Sequence, residues 1–429
     1  MKITAIIGFG FCGKVTFANL VKKYSPQENK IIIFEAAKDN FSSAAFSAYS
    51  PHYILNVPAA KMSAFCGQDK DFCDFLQKNY SEIWKNVGEN GFAPREIYGK
   101  YLDQITENSF KHAKEKGLEF ELINGEATEV NAIADKLLIT SQGKEFIADE
   151  LVLATSFRQS QLPLKIESTN FVRNLWNKDA AEFHQKNFTN ESICLIGSGL
   201  TTVDVIVGLK KKNFAGKIFV ISRRGNFPKK HFASPQQNPN FIRAEDSKKG
   251  VLFLCLKIRH FLRQNPEFDI RHVIDSIRPI TTALWNNLDK KNKKLFLRLF
   301  CYWNIFRHRA PISSIETIEQ MIASGQIEIK KGGVKNVKNL DGKFSVQTKF
   351  DQFEADYLVN CLGFEFNAKK YDLLNQMIDS GLLASDFMMA RSLNPKIHLL
   401  GGLNIGRDFE CTAVPDLRVN VEKVVLSLL

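Results

Sequence analysis

Long apolar runs are absent from this chain. Its greasiest stretch, GVLFLCL around Val251, is closed by Lys257 and Arg259, well short of the ~18 uncharged apolar residues that a membrane-spanning helix needs. No membrane-spanning helix is expected. Cysteine is thinly spread: eight residues, no CxxC pair, and no cluster with histidine at metal-ligand spacing. A disulfide framework and a metal centre are both disfavoured, and reduced thiols in a cytoplasmic protein are expected. Cys66 and Cys73, seven apart, read as packing residues on one helical stretch and lack the glycine-rich helix context of a disulfide-reductase pair. Neither a nucleophile elbow nor a hydrolytic triad pattern occurs, so hydrolysis ranks low. No charged-then-apolar leader is expected either, because the folded pattern starts at Ile3.

What is present is the composition of a globular protein, 44% hydrophobic and 24% charged. At 429 residues the chain outgrows one ordinary core and suits two interleaved domains. The formal net charge of +12 admits several anionic partners: nucleic acid, an acidic membrane, or a phosphorylated cofactor.

The opening MKITAIIGFGFCGK favours the last of these. Ile3 to Ile7 is a continuous apolar run, as in a strand buried on both faces. Lys14 to Lys23 reads as a helix, and KIIIF as a second buried strand ending at Glu35. In such a βαβ unit the first glycine, Gly8, allows the tight turn, and the second, Gly10, lets a pyrophosphate approach the backbone. The third, Gly13, lets the helix pack close to the strand. The helix start offers free N–H groups and a positive dipole end to phosphate. Glu35 stands where an acid accepts hydrogen bonds from a ribose diol. A glycine-bearing turn with no ligand is the bland alternative, and the strand, helix and acid around the loop weigh against it.

The chain repeats the plan. ESICLIGSGLTT (191–202) carries a strand into Gly197 and Gly199, with Thr202 in place of the third glycine, and KIFVIS follows the helix. This second strand ends in Ser222-Arg223-Arg224 instead of an acid. A carboxylate there repels a 2′-phosphate, whereas guanidinium groups grip it, so the pattern points to NADPH over NADH. A solvated surface turn is the competing reading of the arginines. IADELVLATSF (147–157) and EADYLVNCLGF (354–364) also match: an aspartate, a hydrophobic strand, then a small-residue break at Ser156 or Gly363. Each follows alternating segments that read as β-meander strands. Two Rossmann halves, each with a meander and a returning strand, describe a protein for two dinucleotides.

Several blocks resemble the bacterial FAD/NAD(P)-binding proteins related to flavin-containing monooxygenases. These are YSPHYILNVPAAKMSAF, FAPREIYGKYLDQI, LIGSGLTTVDVIVGL with ISRRG, YWNIFRHRAP and ECTAVPDLRVNV. The resemblance implies an α/β protein with two Rossmann-like dinucleotide-binding domains, the glutathione-reductase-like FAD/NAD(P) fold. It implies that Gly8, Gly10, Gly13 and Glu35 hold the ADP half of FAD, and that Gly197, Gly199, Thr202, Arg223 and Arg224 hold NADPH. Asn56 matches the asparagine that monooxygenase relatives place beside the flavin ring, and is the catalytic candidate. Gly363, Gly402 and Thr412 complete the implied cofactor contacts, with a helix near Pro415 directing its positive end at the flavin. This chain departs from the pattern at Leu400-Gly401-Gly402-Leu403, where relatives carry Gly-Asp, at Ser156, and in 157–176, which lacks the FxGxxxHxxxW-like fingerprint.

The implied layout is an FAD domain at 1–156 and 355–429 and an NADPH domain at 157–354, the latter with a basic helical insertion at about 229–324. In that insertion NKKLFLRLFCYWNIFRHR reads either as a helix lying on a membrane or as a core-facing helix with a solvated side, the second being preferred. His308 is open to a role at the nicotinamide or substrate, or to one as a helix cap. The expected partner is a small-molecule substrate, with no nucleic acid and no metal. NADPH-driven oxygenation of that substrate is expected, with a flavin reductase or a non-catalytic flavin-binding redox sensor as alternatives.

Overall fold

Residues 1–36, 46, 50–177, 180–232 and 239–429 are described by the computed structural model. β1 (Lys2–Ile7) buries Thr4, Ala5, Ile6 and Ile7, and α1 (Phe11–Lys23) and β2 (Asn29–Glu35) follow. α1 starts ahead of the expected Lys14, because Gly10 already occupies its N-cap. After α2 (Asp71–Asn79), α3 (Ser81–Val87) and α4 (Arg95–Lys116) comes β3 (Glu119–Asn124). A meander of β4 (Ala127–Ile133), β5 (Lys136–Ser141) and β6 (Lys144–Ala148) leads to the returning β7 (Glu150–Leu153).

The second half opens with β8 (Phe171–Val172) and α5 (Ala181–Gln185). β9 (Ile193–Ile196), α6 (Leu200–Lys211) and β10 (Ile218–Ser222) repeat the βαβ unit. A helical stretch intervenes: α7 (Val251–Gln264), α8 (Ile270–Ile277), α9 (Thr281–Asn287), α10 (Lys290–Arg307) and α11 (Ile312–Ala323). β11 (Ile327–Lys331) precedes a second meander, β12 (Val334–Leu340), β13 (Lys343–Thr348) and β14 (Gln352–Ala355), and then the returning β15 (Tyr357–Asn360). The chain ends with α12 (Asp372–Asp379), β16 (Leu383–Ser385), β17 (Ala390–Ser392), β18 (Ile397–Leu399), α13 (Ile405–Asp408) and α14 (Val414–Leu428).

Two parallel five-stranded sheets result, ordered β18-β7-β1-β2-β3 and β8-β15-β9-β10-β11. Position for position, β7 lies beside β1 as β15 lies beside β9. The two returning strands are tied down alike. The Asp149 carboxylate accepts the Ile3 N–H and the Asp356 carboxylate accepts the Ser192 N–H, each at 2.7 Å. In the second sheet, Ile193 and Leu195 of β9 enter a cluster with the α6 residues Val203 and Ile206. The alternate residues Cys194 and Ile196 join Phe344 and Val346 of the meander. Helices cover one face and the meander the other, which is why the strand reads as one unbroken apolar run.

The chain forms two units, one of Met1–Ser47, Val57–Phe157 and Glu365–Leu429, the other of Ala48–Asn56 and Arg158–Phe364. A crossing at 354/355 would leave β15 with the first unit; its ladder with β9 keeps it in the second. Three further expectations change. Cys66 sits in a turn ahead of α2, and only Cys73 is helical. Asn56 belongs to the second unit. The preferred core-facing reading of α10 holds only in part, because none of its residues is fully buried. Its apolar stripe of Phe296, Phe300, Trp303 and Phe306 packs as partly covered side chains, Trp303 and Phe306 against a cluster with Ile274 and Leu284.

Candidate dinucleotide sites

In the first unit β1 ends at Gly8, whose φ of +91° favours glycine and whose absent Cβ would stand 2.8 Å from the Ala154 carbonyl oxygen on the returning strand. The Gly8 N–H donates to Phe34 O at 2.9 Å. One residue on, the Phe9 N–H donates to Glu35 Oε2 at 2.6 Å, so the acid at the end of β2 also holds the glycine loop. Gly13 has no room for a side chain, since a Cβ would lie 2.1 Å from Gly8 O. α1 has no side-chain cap and no acid in its first turn, leaving its first amides and dipole to an anion.

Sequence reasoning missed Lys14, whose side chain is wholly buried beside this loop. Its ammonium lies 2.7 Å from Asp103 Oδ1 on α4. Burial lowers its pKa, against the opposing pull of Asp103 and Glu35. Its position directly after the third glycine is the only signal the sequence carried. Cys12, in the first turn of α1, is buried and its thiol is pushed up to about 12 by desolvation.

The closing segment approaches the same loop. Leu400 N donates to Leu153 O at 3.0 Å, and a Cβ on Gly401 would come 3.4 Å from Cys12 Sγ. At Gly402 a Cβ would fall 1.9 Å from the ring of Phe157, so the missing side chain there accommodates a protein ring. Thr412 is half-buried just ahead of α14, which starts at Val414 with Pro415 in its first turn and no side-chain cap, though Asp416 adds an acid there.

The second unit reproduces the first loop. Gly197 has φ +115°, its N–H donates to Ile221 O at 2.8 Å, and a Cβ would lie 2.5 Å from Cys361 O. Gly199 is the extended N-cap of α6 and has open space around it. Thr202 is fully buried. By this register Ser222 occupies the place of Glu35. The Ser198 hydroxyl bonds to Ser222 Oγ at 2.8 Å, the counterpart of the link between Phe9 and Glu35. Arg223 and Arg224 are exposed beyond it. The Arg223 stem passes Gly333, and the Arg224 guanidinium lies 4.3 Å from the ring centroid of Tyr302. Gly363 is exposed with no crowding at its Cα, and its carbonyl accepts the Ser160 N–H at 2.8 Å.

Asn56 is held by its backbone. Its carbonyl accepts from His231 Nε2 at 2.9 Å. Tyr53, three residues earlier, packs its ring on Gly208 of α6 and places its hydroxyl 3.4 Å from His184 Nδ1. His184 Nε2 is 3.2 Å from Leu175 O, and burial holds that imidazole below its ordinary pKa. Neither His231 nor His184 was legible from spacing. His308 is the C-cap residue of α10, its N–H donating to Asn304 O at 2.9 Å. Desolvation, Arg307 and Arg278 lower its pKa to about 3, so it is neutral at physiological pH.

A family of FAD-NAD(P)-binding domains matches residues 5–158, the span that holds β1, the first glycine loop, Glu35 and the returning strand. No curated protein sequence matches the chain. Among solved structures, the chain is similar to an ornithine N-hydroxylase of Kutzneria sp. 744, described with reduced FAD, NADP+ and L-ornithine. That match has TM-score 0.70 at 13% identity over 99% of this chain and 98% of that one. The cadaverine monooxygenase of the desferrioxamine pathway in Erwinia amylovora, bound to FAD, matches with TM-score 0.65 at 14% identity, over 99% and 93% of the two chains. The bacillithiol disulfide reductase of Staphylococcus aureus matches with TM-score 0.56 at 12% identity, over 100% and 98%. At these identities the likeness concerns the fold, an α/β chain with two Rossmann-like sheets as in those flavoproteins.

Proposed function

We propose that this chain is an FAD-dependent, NADPH-oxidising enzyme that oxygenates a small organic substrate. The observation that carries the cofactor assignment is the matched pair of loops, with Glu35 at the end of β2 and Ser222 followed by two arginines at the end of β10. The cradle fits FAD in the first unit: Gly8 and Gly13 leave no space for a Cβ, and α1 presents uncapped amides to a pyrophosphate. Bound FAD supplies two-electron chemistry, accepting hydride from NADPH and passing electrons to oxygen.

The chain's own residues bind and orient. Gly8, Gly10 and Gly13 cradle the pyrophosphate, and Glu35 takes ribose hydroxyls as well as the Phe9 amide. Gly197, Gly199 and the first turn of α6 hold the second pyrophosphate, with Arg223 and Arg224 at its 2′-phosphate. Gly363, Gly402 and Thr412 keep the supporting places that the resemblance implies. Asn56, whose backbone carbonyl His231 holds, keeps the catalytic place that the resemblance implies. The similar amine hydroxylases make small primary amines the first substrates to try, and the reduced thiols fit a cytoplasmic setting.

Anaerobic reduction by NADPH followed by rapid mixing with oxygen tests this reading. A transient absorbance distinct from both oxidised and reduced flavin, lengthened by NADP+, is expected. Direct return to oxidised flavin with release of peroxide would overturn oxygenation. It would favour reduction of an acceptor without oxygen insertion, the reading supported by the likeness to the disulfide reductase.

A further inference from the structure

α7 is a helix with an apolar sequence that is left largely outside the core. Among its residues only Val251 is fully buried. Leu254 and Ile258 pack on the cluster of Ile242, Ile274, Ile277 and Leu284, which fixes the inward face. The outward face carries Leu252 and Leu256, one turn apart and 63% and 64% exposed, with the exposed Cys255 between them. Further along the same face stand Arg259 and Arg263, also exposed. Gly250 and Val251 abut Asn292, whose Oδ1 accepts the Val251 N–H at 3.0 Å. The start of α10, with exposed Lys290, Lys291 and Lys294, therefore meets the N-terminal end of α7, one residue before Leu252.

Charge is concentrated here. Between Arg243 and Arg309 there are 15 lysines and arginines against 6 aspartates and glutamates, a surplus of nine out of the chain's twelve net positive charges. The acids are largely engaged within the fold. Asp246 pairs with Lys257, Asp269 with Arg271, and Asp275 with Arg309, while Asp289 caps α10. The surface that remains is cationic, and the exposed leucines of α7 stand between Lys248 and Lys249 on one side and Arg259 and Arg263 on the other.

We propose that this face of the second unit, formed by α7 and the start of α10, docks on an anionic lipid surface. Leucines flanked by lysine and arginine match a bilayer interface, where hydrocarbon leaves water and cations meet lipid phosphates. A nucleic-acid groove would present aromatic platforms. On α10, however, the exposed Tyr302 is already covered by Arg224. No helix among the described residues is long and apolar enough to cross the membrane, so attachment is shallow, reversible and salt-sensitive.

Co-flotation of the purified full chain with vesicles of phosphatidylcholine alone, or with phosphatidylglycerol added, tests this. Flotation is expected only with phosphatidylglycerol, and is lost in high salt. Each interfacial cation contributes about five-fold to partitioning, so Arg259→Ser with Arg263→Ser lowers it by about twenty-five-fold. Leu252→Ser with Leu256→Ser abolishes flotation while the far-ultraviolet circular dichroism is unchanged. In the unaltered protein, maleimide labelling mapped to Cys255 slows on phosphatidylglycerol vesicles, a readout that needs no variant. Equal flotation on both vesicles, none on either, or unchanged Cys255 labelling overturns the proposal. Tight binding of an oligonucleotide that survives the leucine substitutions assigns the face to nucleic acid and also overturns it.

Discussion

The Thr202 hydroxyl donates to the Gly197 carbonyl oxygen at 2.8 Å, where the equivalent Gly13 has no side chain and no room for one. The two glycine loops thus solve the same packing problem differently. In the first, the helix closes directly onto the carbonyl. In the second it stands far enough away for a hydroxyl to bridge the gap with a hydrogen bond. A third glycine is needed only in the tighter loop.

Gly13→Ala should leave the purified protein colourless, because the Cβ meets a backbone oxygen that cannot swing aside. Thr202→Val keeps the volume and loses the bond, costing about 1 kcal/mol, read as a lower denaturant midpoint, with flavin content unchanged. Equal flavin loss in both variants would show that the loops are not distinguished in this way.

Replacing Arg223 and Arg224 together with alanine should raise the KM for NADPH at least ten-fold and leave that for NADH nearly unchanged, since each charge-assisted bond to phosphate contributes about 1.5–3 kcal/mol. The comparison of the two KM values decides it. Parallel losses would mean that neither arginine reads the 2′-phosphate.

Gly402→Ala should destabilise the protein, because its methyl enters the space of the Phe157 ring. Phe157→Leu should recover part of that loss in the double variant. Thermal melting of the four proteins gives the coupling directly, and additive effects would refute the contact.

His308 makes stability pH-dependent. Its folded pKa of about 3 lies below the ordinary 6.5, so the unfolded chain takes up the proton first. The full contribution is present above about pH 6.5 and is lost as pH falls from there towards 3, by at most about 1.4 kcal/mol per pH unit. Urea melts at pH 7 and pH 5 should show a smaller acid loss in His308→Asn than in the unaltered chain. The same loss in both would exclude this residue.

Much of the architecture was legible because it is local. A buried strand meets a glycine whose φ must be positive, and the helix after it must start within a few residues; neighbours in sequence decide both. The returning strands could be recognised because Asp149 and Asp356 recur at equivalent places. α10 was legible only in part. Helical spacing marks a face, whereas how deeply that face is buried depends on which neighbours arrive.

The candidate site divides in the same way. The glycines, Glu35 and the arginines follow from pattern and spacing. Lys14 meeting Asp103 across 89 positions, and His231 holding Asn56 across 175, do not, because nothing in either short stretch refers to the other.

By itself the amino-acid order fixed where strands hand over to helices and which loop carries an acid and which carries arginines, since those properties rest on backbone sterics and charge within a few residues. Only the tertiary structure decided that Gly402 accommodates Phe157, that a threonine can stand in for the third glycine, and that Leu252 and Leu256 remain in water. Burial and side-chain pairing are properties of segments distant in the chain, and no local pattern encodes which of them will meet.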